Sequence, residues 1–96
     1  MNPKRKGILK FYIVRTLVET PKSLGQIYGT LQKTKLESGK RLLLPSETFN
    51  VVKQMIVELM REKQVEARRD GIVIRDGQGK KRSRYLYCLI GDLHGS

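Results

Sequence analysis

Apolar positions along this chain change period once, and the change divides it into a helical part and an extended part. Within residues 45–63, PSETFNVVKQMIVELMREK, the side chains Phe49, Val52, Met55, Ile56, Leu59 and Met60 recur at three- and four-residue intervals. That spacing predicts a helix with those six facing inward, the element around which the rest is organised. Pro45 separates it from the preceding segment, and Ser46 is positioned to accept from a free backbone N–H as N-cap. Glu47, Asn50, Val51, Gln54, Val57, Glu58 and Arg61 fall on the opposite stripe, with Lys53 at its edge.

Two further helices are expected before it. Ile8, Leu9, Phe11, Tyr12, Ile13, Val14, Leu17 and Val18 predict a first helix, bounded by Gly7 and by Thr20-Pro21. It is apolar on more than one face, so it is expected either at the centre of the core or shared with a second subunit. Residues 1–6, MNPKRK, read as a short basic arm ahead of it. Ser23 is the N-cap expected for a second helix carrying Leu24, Ile27, Tyr28 and Leu31 and ending near residues 34–38. Gly25 and Gly29 lie one turn apart on it, which lowers helix propensity and lets another backbone approach. Residues 40–44 read as an extended connector or one short strand, ending at Pro45.

After Lys63 the period falls to two. Val65, Ala67 and residues 72–75 predict extended chain interrupted at Asp70-Gly71, the run Asp76-Gly77-Gln78-Gly79 predicts a turn, and residues 82–90 a second strand. The result is a β-hairpin. Its far strand alternates Tyr85, Tyr87 and Leu89 with Leu86, Cys88 and Ile90, so neither face is properly polar.

Composition changes the picture through charge. Ninety-six residues suit one small domain, with 39% hydrophobic and 30% charged residues, as in ordinary globular chains. Twenty Lys and Arg against nine Asp and Glu leave +11, a balance that favours a polyanion, nucleic acid first and an anionic membrane surface second. One cysteine, Cys88, excludes an internal disulfide, and one Cys with one His excludes a Cys/His zinc site. Cys88 reads as an inert packing residue among apolar neighbours, and His94 lies in a tail, residues 92–96, expected to be disordered. No signal peptide is apparent. The apolar run 8–18 contains Lys10 and Arg15 and is too short to span a bilayer, so the expected location is cytoplasmic, without membrane contact.

The outward stripe suits base recognition. Asn50 and Gln54 sit at i and i+4; side-chain amides bond adenine bidentately in the major groove, Glu accepts from cytosine, and Val meets a thymine methyl. A solvated polar face is the plain alternative. The hairpin decides between them, because Arg68, Arg69, Arg75, Lys80, Lys81, Arg82 and Arg84 gather on it against only Glu66, Asp70 and Asp76. Phosphate contacts from those cations would supply affinity while the helix reads sequence.

Helix, helix, capped helix, then a hairpin with a glycine-rich tip resembles the winged helix-turn-helix domain of bacterial and archaeal regulators. The resemblance covers residues 7–91 and is strongest in FNVVKQMIVELMREKQVEARRDGIVIRDGQGKKRSRYLYCLI. It implies an α+β fold of three helices plus a C-terminal hairpin wing, with the third helix in the major groove and the wing on the phosphate backbone. The residues expected to contact double-stranded DNA are Ser46, Glu47, Asn50, Val51, Lys53, Gln54, Arg68, Arg75, Lys80, Lys81, Arg82 and Arg84. Two departures stand out. Gln64 occupies the place where the family often has Gly after the helix, and the connector 35–44 is longer than the usual tight turn; a plasmid- or virus-type branch would accommodate both.

No catalytic constellation is present. The carboxylates are scattered, and Gly77-Gln78-Gly79-Lys80 lacks the spacing of a phosphate-binding loop, so neither enzyme activity nor a cofactor is expected. RNA binding, a replication or partition role on DNA, and a protein-interaction module that recruits acidic partners are the competing expectations. The few aromatics give no stacking platform for single strands. The apolar excess on residues 8–18 and 85–90 predicts a homodimer.

Overall fold

A computed structural model describes the backbone of residues 2–75 and 81–90, and the side chains of residues 2–69 and 85–90. Among them the order is α1 (Pro3–Leu17), α2 (Leu24–Lys33), α3 (Phe49–Arg61), β1 (Val65–Arg75) and β2 (Lys81–Leu89). Three helices followed by an antiparallel hairpin form an α+β arrangement compatible with a winged-helix layout.

Helix α1 starts earlier than periodicity predicts. Asn2 is its N-cap, accepting from the N–H groups of Lys4 at 2.7 Å and Arg5 at 3.3 Å, and Pro3 opens the first turn, where its missing N–H costs nothing. Residues 3–6 are therefore helical, with no separate basic arm, and Gly7 lies inside the helix. Nor is α1 buried all round. Leu9, Ile13 and Leu17 form one buried stripe, Ile8, Tyr12 and Val14 flank it half-buried, and Phe11 and Val18 are 61% and 66% exposed. It packs against α2, α3 and β2.

Between α1 and α2 the chain is extended at Lys22, which exchanges backbone hydrogen bonds with Tyr87 of β2 at 3.0 and 2.7 Å. Ser23 then caps α2 through a reciprocal capping box with Gln26. Ile27 and Leu31 are its buried residues. Gly25 and Gly29 do not admit a neighbouring backbone: a Cβ at either position would meet no atom within 4 Å.

Helix α3 starts later than expected. Pro45 and Ser46 are the central residues of a β-turn closed by the Glu47 N–H donating to the Leu44 carbonyl at 2.8 Å, the second position of such a turn being one that Pro favours. Ser46 is consequently a turn residue. The N-cap is Thr48, whose side chain makes no capping bond. Val52, Met55, Ile56 and Leu59 are buried, whereas Phe49 and Met60, at the helix ends, stay 41% and 36% exposed. Phe49 instead packs edge-on against Tyr28 of α2, with ring centroids 5.4 Å apart.

The helix ends in a Schellman motif: Gln64 N–H donates to the Leu59 carbonyl and Lys63 N–H to that of Met60. The left-handed residue is Lys63, at φ 59°, one position before Gln64. Glycine is therefore replaced by a lysine, at Lys63 and not at Gln64.

β1 and β2 pair in two blocks, Val65–Arg69 with Tyr85–Leu89 and Val73–Arg75 with Lys81–Ser83, separated by a register shift. The interruption expected at Asp70-Gly71 is this irregularity within one strand. Val65, Tyr87 and Leu89 lie against the helical core, in which Leu42 of the connector is also fully buried. Cys88 is buried too, on the face opposite, where its Sγ lies 3.7 Å from Glu66 Oε1. It is thus shielded by a carboxylate, not by apolar neighbours alone. Burial, the largest influence, pushes its thiol pKa up, opposed by the charge of Arg68.

Candidate nucleic-acid interface

The outer surface of α3 consists of Asn50, Lys53, Gln54, Val57 and Arg61, all exposed and spaced as one helical stripe. Lys53, Gln54, Val57 and Arg61 border a common shallow depression together with Glu58. The stripe is turned toward Lys53 relative to the one read from periodicity, and the cause is α1. Lys10 Nζ reaches Glu58 at 3.0 Å and Glu62 at 2.7 Å, and Lys6 Nζ reaches Glu58 at 3.4 Å, so α1 covers the Glu58 flank. These contacts, the Lys10 hydrogen bond foremost, hold the Glu58 carboxyl below the usual range, and those to Glu62 and then Glu58 hold the Lys10 ammonium above its own. Val51, on the same flank, is half-buried against the core.

Glu47 is not on the outer surface at all. Only 4% exposed, it receives Arg5 Nε at 2.8 Å on one oxygen, and on the other Arg5 Nη2 and the Leu44 N–H, the latter at 2.8 Å. The same Arg5 nitrogen donates to the Leu42 carbonyl at 2.8 Å. Arg5 thereby ties the first turns of α1 to Leu42 of the connector and to Glu47 at the close of the turn that leads into α3. Its hydrogen bonds depress the Glu47 pKa, opposed by burial and reinforced by the Leu44 N–H, while the Arg5 pKa rises. Glu47 is a positioning residue for α3 and is withdrawn from any role as a base-reading acceptor. The signal that could have revealed it was Arg5, 42 positions away, which no local pattern connects to it.

Ser46 is exposed in its turn, ahead of the helix. On the hairpin, Arg68 and Arg69 are exposed on β1, and Arg68 Nε donates to Glu66 Oε1 at 2.6 Å, which raises the Arg68 pKa. Arg75 belongs to β1, and Lys81, Arg82 and Arg84 to β2, by backbone; their side chains, and Lys80 entirely, lie outside the described residues, as do the turn 76–80 and the tail 91–96. Lys53, expected at the edge of the stripe, stands well within it, as does Arg61. Both stand in the exposed stripe, and neither is in an ion pair among the described residues.

Among the described residues no cluster of His, Cys, Asp and Glu is arranged to hold a metal, and no helix is long and apolar enough to cross a membrane. No family model, curated protein or solved structure matches the chain.

Proposed function

We propose that this chain is a sequence-specific double-stranded DNA-binding protein of winged-helix type, a transcriptional regulator that lays α3 in the major groove and the basic hairpin along the flanking phosphates. The observation that carries the reading is the stripe Asn50, Lys53, Gln54, Val57 and Arg61. It is exposed over the length of α3, its two cations have no acidic partner among the described residues, and the carboxylates Glu47, Glu58 and Glu62 are held by Arg5, Lys6 and Lys10. Such a surface repels neither phosphates nor base acceptors. Asn50 and Gln54 supply bidentate partners for adenine, and Lys53 and Arg61 remain for guanine or phosphate. Exposed Phe11 and Val18 on α1 give a second copy an apolar surface on which to dimerise, so that two α3 helices reach half-sites about 34–36 Å apart.

The test is selection of bound fragments from random DNA, followed by single substitutions. Asn50→Ala and Gln54→Ala are each expected to lose about 1–3 kcal/mol at one A·T pair and to leave affinity for random duplex nearly unchanged. A uniform loss across all single-base variants of the site would assign these amides to positioning. Preference for duplex RNA or single strands over duplex DNA in direct competition would overturn the DNA reading, and a monomer in sedimentation at high concentration, with and without DNA, would overturn the dimer.

A further inference from the structure

The connector between α2 and α3 is a second, smaller hairpin. Lys35 and Arg41 form an antiparallel bridge, the Leu36 N–H donates to the Lys40 carbonyl at 2.8 Å, and the Leu42 N–H to that of Thr34 at 3.0 Å. A turn closed by Gly39 N–H donating to the Leu36 carbonyl reverses the chain, with Gly39 at φ +87°, a conformation L side chains rarely adopt. Leu42 is fully buried at its base, and the Arg5 guanidinium fastens the Leu42 carbonyl. This is an ordered projection, extended beyond what joining two helices requires.

Its cations are not paired among the described residues. Lys33, Lys35, Lys40 and Arg41 are all exposed, Glu37 is the single acid in the stretch 33–41, and none of the four cations is in an ion pair among the described residues. Lys35 and Arg41 stand directly opposite one another, an arrangement of like charges that lowers the stability of a strand pair. Arg41 borders the same recess as Thr48, the N-cap of α3. At the other end of α3, Gln64 leads into β1 and accepts from the N–H of Ile90, so the two basic hairpins spring from opposite ends of a helix about 20 Å long. The major groove is about 12 Å wide and edged on both sides by phosphates.

We infer that the connector hairpin is a second phosphate-binding element, gripping the duplex backbone through Lys35, Lys40 and Arg41 at the start of α3 while the β1–β2 hairpin grips it at the far end. This rests on the duplex-binding reading above and adds to it a grip from both ends of α3 in place of a single wing.

The experiment is a salt titration of duplex binding by the full chain. Replacing Lys35, Lys40 and Arg41 together by Ala is expected to reduce the slope of log K against log salt by about 2.7, at about 0.9 per lost contact. Random and selected duplexes should weaken by similar factors. Lys40→Gln alone, a change at an exposed turn, should reduce the slope by about 0.9 and keeps the test open if the triple variant fails to fold, as judged by its melting curve. Lys80, Lys81 and Arg82 replaced together by Ala serve as the reference for the other hairpin. A wild-type slope in the connector variants, beside a reduced slope in the reference, would overturn the second grip and leave the duplex-binding reading standing. Weakening confined to the selected site, at wild-type slope, would also overturn it. A wild-type chain that binds no duplex would remove both.

Discussion

The inner and outer sides of α3 treat charge in opposite ways. On the seam with α1, cations meet carboxylates: Arg5 with Glu47, Lys6 and Lys10 with Glu58, and Lys10 with Glu62. On the outer stripe, Lys53 and Arg61 meet none among the described residues. The chain has only nine acidic residues for twenty basic ones, and three of the nine sit on this one seam. A net charge of +11 therefore understates the contrast between surfaces. Along α3, acids stand where the helix is joined to α1, and the stripe turned outward keeps Lys53 and Arg61 without an acidic partner among the described residues.

The sharpest way to break this contrast is to remove Glu47, the one buried acid among the described residues. Glu47→Ala strands the Arg5 guanidinium, one-fifth exposed, together with the Leu44 N–H, and is expected to cost about 2–3 kcal/mol in urea unfolding, below the full value for a completely buried pair. Acid should reach the same contact. Because the Glu47 pKa is depressed in the folded chain, the stability it contributes is present above the ordinary carboxylate value of about 4.3 and is lost as pH falls through that value toward the folded one. Thermal melts between neutral pH and about pH 3 should show a smaller acid-induced drop for Glu47→Gln than for wild type, with a remainder from Glu58, whose pKa is lowered in the same direction.

A smaller effect of opposite sign is expected where α3 meets the hairpin. Lys63→Gly relieves a left-handed backbone at a lysine and should raise stability by roughly 1 kcal/mol, seen as a higher urea midpoint at unchanged slope. Smallest of all on folding is the outer stripe. Lys53→Ala with Arg61→Ala should leave stability within about 0.5 kcal/mol of wild type, as for surface changes away from special features. A large loss there would show that the two sides of α3 are not separate in function.

The helices were legible in the sequence where burial follows local period: Val52, Met55, Ile56 and Leu59 on α3, and Ser23 with its capping box on α2. What escaped was set by contacts between distant residues. Glu47 shares a helical face with Asn50 only if the helix already includes it, and the turn fastened by Arg5 ends that continuity two residues before α3 begins. Phe11 and Val18 look like core in a list of apolar residues, yet no element among the described residues covers them. The connector was legible as extended chain at residues 40–44, but not as a hairpin, because its pairing is created by single backbone bonds and one glycine, which have no period. Of the candidate contacts, Asn50, Lys53 and Gln54 are exposed on one stripe, and Glu47 is not.

Lys22 and Tyr87 bear on how copies of this chain behave when crowded. An uncovered strand edge is a template for another strand, and a two-stranded hairpin has two such edges. Along β2 the chain itself occupies the edge at Tyr87, and the neighbouring Pro21 has no N–H to offer an incoming strand. Along β1 a second molecule would have to bring its own Arg68 and Arg69 beside those already there, like against like. Aggregation through the sheet is thus opposed from both sides, by self-pairing on one and by repulsion on the other.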